Sequence, residues 1–149
     1  MANCSTNAFC CPVPCSTPDF FGNASSTLIG VKRCLPIRTQ CLAAAPTPPE
    51  EGDLVYIAPE DTPPDALASG MVSIINTSST TNDCVMTVTI TDGSGVAAYT
   101  INAQSSFMAE VTDLEQISVY CQSDNAPIAA PYDYCTATVE MDLQYKAGL

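Results

Sequence analysis

The chain has no histidine, and only four of its 149 residues are basic against 16 acidic ones, which gives a formal net charge of -12. Without histidine, a cysteine or serine nucleophile lacks its usual base, and no Gly-rich phosphate loop follows a strand-like run. Paired carboxylates are the remaining enzymatic route, but the acidic residues are scattered through turns and wet strand faces, so no enzyme is expected. The four cations are Lys32, Arg33, Arg38 and Lys146, so Gln40 to Tyr145 offers neither a basic patch nor a trypsin site. That distribution argues against nucleic acid and anionic membranes as partners. No apolar run approaches a membrane span, so no membrane insertion is expected. The opening MANCSTN has neither a charged n-region nor an apolar h-region, and no export signal is expected.

Against these scarcities stand nine cysteines, far more than a reduced intracellular protein usually carries. The two facts are reconciled if the chain is made inside a cell and oxidised later, or if the cysteines hold metal. Because nine is odd, full oxidation requires at least one bond between chains. Cys10 and Cys11 are adjacent, in a stretch NCSTNAFCCPVPCSTPDF that has no hydrophobic pattern. Neighbouring side chains on an extended chain point to opposite sides, so these thiols suit two different partners better than each other. Other readings are a tail with incidental thiols, or a metal site completed by Cys4 and Cys15. Structural zinc usually shows paired C-x-x-C knuckles, which this spacing lacks, and cross-linking is the reading adopted, with no cofactor or metal assigned.

Residues 1 to 27 form this arm, with Pro12, Pro14 and Pro18 favouring extended backbone. Fifteen extended residues reach about 50 Å, more than the diameter of a small domain. Residues 28 to 149 form one body, in which Thr27–Cys34 is the first strand candidate. A Pro-rich acidic segment near 43–64 follows, reading as loop, strand (Leu54–Ala58), loop. Apolar runs then recur at Met71–Thr77, Cys84–Thr91, Val96–Ile101, Phe107–Val111 and Glu115–Cys121, separated by turn residues. Asp92-Gly93-Ser94-Gly95 is a hairpin signal. The last strand places Cys135, Ala137, Val139, Met141, Leu143 and Tyr145 on one face and Thr136, Thr138, Glu140, Asp142 and Gln144 on the other. About eight short strands without helical periodicity indicate an all-β two-sheet sandwich, a jelly roll.

The opening MANCSTN with Phe9-Cys10-Cys11, the strand VKRCL around Cys34, the stretch LASGMVSI through TDGSG to QSSFMAEVTDLEQISV, and YDYC before the terminal strand resemble the endospore appendage (Ena) fibre subunits of spore-forming Bacillus-type bacteria. The resemblance implies a jelly-roll structural subunit that polymerises with copies of itself by sheet augmentation. Its flexible N-terminal connector would form disulfides with subunits of neighbouring layers. By matching position, it implies that Cys10 and Cys11 are the connector thiols and that Cys34 and Cys135 receive them in other subunits. It also implies a spore-surface location reached without a signal peptide, by synthesis in the mother cell, with related appendage subunits as further partners. The chain departs from the family in a longer gap between Cys11 and Cys34, in the Pro-rich segment, and in the additional Cys15, Cys41, Cys84 and Cys121. Helical fibre, stacked rings and closed ring therefore stay open.

Cys4, Cys15, Cys41, Cys84 and Cys121 are candidates for further disulfides. Cys84 shares strand parity with Met86, Val88 and Ile90, and Cys121 with Ile117 and Val119, so both thiols are expected on the buried side. An internal bond and free small hydrophobes are equally compatible with that. Lys32 shares a side with Cys34, and its charge would favour a reactive thiolate, unless Lys32 and Arg33 are ordinary solvated charges. Glu50-Glu51-Gly52-Asp53 and Glu60-Asp61 lack the alternation of a calcium loop and read as solvated loop charge. The sequons at Asn23 and Asn76 receive no role. The competing functional reading is a small non-polymerising adhesin or spore-coat binding module with internal disulfides.

Overall fold

The computed structural model describes residues 28–80, 84–123 and 134–146. Eight strands account for most of them: β1 (Leu28–Leu42), β2 (Asp53–Ile57), β3 (Ala68–Asn76), β4 (Cys84–Asp92), β5 (Gly95–Ile101), β6 (Ser106–Leu114), β7 (Gln116–Ser123) and β8 (Tyr134–Lys146). Short 3-10 turns at Pro49–Glu51 and Pro64–Ala66 flank β2.

Strand pairing gives one sheet in the order β1-β8-β3-β6 and another in the order β2-β7-β4-β5. That interleaving of two four-stranded sheets is the jelly-roll order. The two sheets are continuous at one seam. Strand β1 pairs antiparallel with β8 from Leu28 to Gln40, then its last two residues, Cys41 and Leu42, pair parallel with Cys121 and Gln122 of β7. Counting this contact makes one eight-stranded sheet that is nearly a barrel.

Strand β1 runs eight residues past the sequence expectation, through Pro36. At Pro36, as from Leu28 to Gln40, strand β1 has β8 alone as its partner, and a proline is tolerated where its missing N–H would face outward. The Pro-rich segment contributes β2 as an antiparallel partner of β7. The hairpin at Asp92-Gly93-Ser94-Gly95 joins β4 to β5, with Asp92 opposite Gly95. The other strands lie within a few residues of the expected runs.

The core lies between the sheets and follows the strand parities. Val72, Ile74, Val139 and Met141 from one sheet face Met86, Val88, Ile117 and Val119 from the other, all buried. Along β8, Cys135 to Leu143 at alternate positions are buried, while Glu140, Asp142 and Gln144 are exposed. Gly70, at φ +155, sits at the register shift between β3 and β6, where a Cβ would lie 2.1 Å from the Asp142 carbonyl oxygen. Only glycine fits that approach. The bulge is closed by the Asp113 N–H, which donates to Ser69 Oγ at 2.9 Å.

Candidate functional site: disulfides and open strand edges

The described cysteines come from five positions on four strands. Cys41 is the penultimate residue of β1 and Cys84 begins β4, and the two are bonded across a Cα separation of 6.0 Å. Cys121 of β7 and Cys135 of β8 are bonded across the same separation, 6.0 Å. Both separations are ordinary for a disulfide. All four residues are buried, and the sulfur atoms of Cys41, Cys84 and Cys121 lie within 4.8 Å of one another. The seam explains this gathering: Cys41 and Cys121 are ladder partners, Cys84 pairs two residues further along β7 at Ser123, and Cys135 lies opposite Thr39, two residues before Cys41.

Sequence parity placed Cys84 and Cys121 on the buried side, where the structure finds them. They are not bonded to each other, because each has a nearer partner, Cys84 on β1 and Cys121 on β8. Cys41 carried no parity signal because β1 was read as ending at Cys34.

The two acceptors implied by the resemblance lie on opposite faces of one sheet. Leu35, Ile37, Thr39 and Cys41 turn inward, so Lys32, Cys34, Pro36 and Arg38 turn outward. Cys34 pairs with exposed Glu140 and is only part-buried. It is also disulfide-bonded, to a partner outside the described residues. Cys135 is fully buried and engaged with Cys121, so taking a thiol from another subunit requires exchange with Cys121 in the core. Cys4, Cys10, Cys11 and Cys15 lie outside the described residues.

The cationic cluster around Cys34 is divided among separate partners. Lys32 Nζ lies 3.5 Å from Asp142 Oδ2, its cross-strand neighbour, with both side chains well exposed. Arg38 sits 3.9 Å over the Tyr134 ring. Burial pushes the Tyr56 hydroxyl above its ordinary pKa, and the positive charge of Arg33 partly offsets that.

Each flank of the sandwich carries two edge strands. On one flank β1 and β2 part over a cleft of about 480 Å³ lined by Val31, Val55, Tyr56, Leu67, Met141 and Leu143, and Leu54 and Ile57 are 57% and 59% exposed. The Thr39 hydroxyl ties the two strands at one end by donating to Asp53 Oδ2. On the other flank are β5 and β6, where Val96 and Met108 are 55% and 67% exposed and the Tyr99 and Phe107 rings lie 4.4 Å apart. Sequence reading found the strands but not which of them are edges, since edge position depends on strand order. Among the described residues, no helix is long and apolar enough to cross a membrane.

No family model matches the chain, and no curated protein matches it. Its structure is similar to a solved structure of a Bacillus endospore appendage, described as forming a novel family of disulfide-linked pili. The TM-score is 0.57 at 14% identity, over 96% of this chain and 100% of that one. At that identity the likeness establishes the shared all-β fold.

Proposed function

We propose that this chain is a self-assembling structural subunit of an endospore appendage, a pilus-like fibre or a stack of rings whose layers are cross-linked by disulfides. The observation that carries the reading is the likeness in fold, over 96% of the chain, to a subunit of a disulfide-linked pilus. The edges support it. The β1/β2 flank and the β5/β6 flank differ, so pairing one with the other between copies is head-to-tail and builds rings or open helices. Added strands would satisfy edge backbone groups and cover Leu54, Ile57, Val96 and Met108.

In this reading the bodies join by augmentation, while Cys10 and Cys11 of the arm bond to subunits of neighbouring layers, reaching the spore surface as an extracellular homopolymer. Of the two acceptors, Cys34 is the one an arm can approach without opening the sandwich, because it faces outward. Both are already disulfide-bonded, so each would accept a connector thiol by thiol–disulfide exchange, the connector thiolate bonding to its sulfur while the present partner, Cys121 in the case of Cys135, leaves as thiolate. Related appendage subunits sharing the same edges are further partners.

A second reading is favoured by one specific observation: four body cysteines are paired within the chain. That is what a small binding module with internal disulfides requires. Negative-stain electron microscopy of the oxidised full chain, with and without reductant in denaturant, separates the two. Fibres or stacked rings that survive denaturant and fall apart on reduction are expected. Small uniform particles under both conditions would support the binding module. Deleting Met1 to Pro18 is expected to leave a folded body that forms at most single layers or weak fibres.

A further inference from the structure

The seam between the sheets concentrates sulfur beyond what one disulfide needs. Cys41, Cys84 and Cys121 have sulfur atoms within 4.8 Å of one another, and the Cys135 sulfur is bonded to that of Cys121. All four residues are at most 5% exposed. They come from β1, β4, β7 and β8, so elements far apart in sequence deliver one thiol each to a common point. A tetrahedral zinc site with Zn–S bonds of about 2.3 Å holds its sulfurs a little under 4 Å apart. The Cys121 sulfur lies within 4.8 Å of the bonded Cys41–Cys84 pair, so opening both disulfides and turning the side chains brings all four sulfurs to that spacing.

We propose that in the reduced chain Cys41, Cys84, Cys121 and Cys135 together hold one zinc ion, which oxidation releases as the two body disulfides form. A closed set of four thiolates is the donor set of a structural zinc site. The ligands need no C-x-x-C spacing because the ladder supplies the geometry: Cys41 and Cys121 are paired in register, and Cys84 and Cys135 lie on the strands flanking them.

The two states serve different surroundings. In a reducing interior the disulfides cannot persist, and the reduced seam would leave four thiols in the core; zinc joins the same strands that the disulfides join later. The zinc tetrathiolate carries two negative charges in a buried position, which is costly, whereas two disulfides are neutral. Oxidation therefore favours the disulfide form once an oxidant is present. With a low-molecular-weight disulfide as oxidant the exchange balances: one zinc tetrathiolate, two RSSR and four protons give two protein disulfides, four RSH and one free zinc ion. Held by zinc, these thiols are also kept from pairing with the four arm thiols before assembly. The inference concerns the unassembled chain and stands apart from the fibre reading.

The test is zinc titration of the full chain, reduced with a phosphine and kept anaerobic, with bound metal measured after desalting. One zinc per chain is expected, with most of it retained when Cys4, Cys10, Cys11 and Cys15 are replaced by serine and most of it lost in the C84S/C135S variant. Because that variant could lose its fold, the wild-type chain supplies an independent readout. Bound zinc should slow alkylation of Cys41, Cys84, Cys121 and Cys135 at least tenfold, mapped by mass spectrometry, and cobalt in its place should show the absorption of a tetrahedral thiolate site. Oxidised chain should bind none. Less than one zinc per reduced chain at saturation, folded or not, overturns the proposal, as does metal that leaves with the arm cysteines or protection mapped elsewhere.

Discussion

Asn76 shows how one side chain can hold three segments together. It ends β3 and is 1% exposed, yet every polar group has a partner. Its amide donates to the Ile101 carbonyl at 2.9 Å and accepts from the Ser78 N–H at 3.0 Å. Its backbone N–H donates to the Ser105 carbonyl at 2.8 Å, and its carbonyl accepts from the Gln104 N–H at 2.9 Å. Replacing it with alanine strands two buried backbone groups, each costing about 1–3 kcal/mol. Asn76→Ala should therefore destabilise the body by about 2–6 kcal/mol, read as a lower denaturant midpoint at unchanged slope. In sequence this asparagine was visible only as a sequon. Its role was not legible because its partners come from β5 and from the loop after it, and Thr136 on β8 joins through Thr77 and Ser78.

Asp92 gives a residue-scale pH effect. Burial raises its pKa, but hydrogen bonds from the Ser94 hydroxyl, the Ser94 N–H and the Thr112 N–H outweigh that and hold the carboxyl below its ordinary value. A carboxyl depressed in the folded state contributes stability above the unfolded pKa, about 4, and loses it as pH falls through the folded value. Asp92→Asn should thus flatten the acid side of the stability profile below about pH 4 by removing the contribution present at neutral pH, so that the variant unfolds at a lower temperature than wild type at neutral pH and the two converge in acid, as thermal unfolding across pH would report. The hairpin itself was legible from Asp92-Gly93-Ser94-Gly95, because its chemistry is local.

At the scale of elements, periodicity carried most of the fold. The alternation of β8, the parity of Cys84 with Met86 and of Cys121 with Ile117, and the turn residues between runs all express one constraint, a sheet wet on one side. What periodicity cannot carry is adjacency. Nothing in the residues around Cys41 says that β1 leaves β8 and joins β7, so the seam and both body disulfides emerge only with the topology. Edge identity is of the same kind, and it yields a test of the assembly reading. Met108 on edge strand β6 is 67% exposed, so Met108→Lys should leave monomer stability within about 0.5 kcal/mol. A lysine on an edge opposes strand addition, and fibre yield by electron microscopy should fall severalfold. Unchanged fibres would mean that β6 is not a shared edge.

At the scale of the whole molecule, the distribution of cations makes proteolysis a probe of the long edge strand. Lys32, Arg33 and Arg38 all lie in β1, Lys146 ends β8, and no other basic residue exists. A protease must draw its substrate out of the ladder, and β1 is laddered to β8 from Leu28 to Gln40. Beyond that ladder, Cys41 is bonded to Cys84, 43 positions away in sequence, a closure worth about 4 kcal/mol in the chain-entropy account. The oxidised body should therefore be cut by trypsin orders of magnitude more slowly than the reduced, denatured chain. When cutting does proceed, Thr39 to Lys146 should survive as a single fragment, since it holds no internal site. Rapid cutting at Arg38 in the oxidised body would show β1 opening independently of the sandwich. A strand that opens so readily could not serve both as the outward mount for Cys34 and as one of the edges through which copies join.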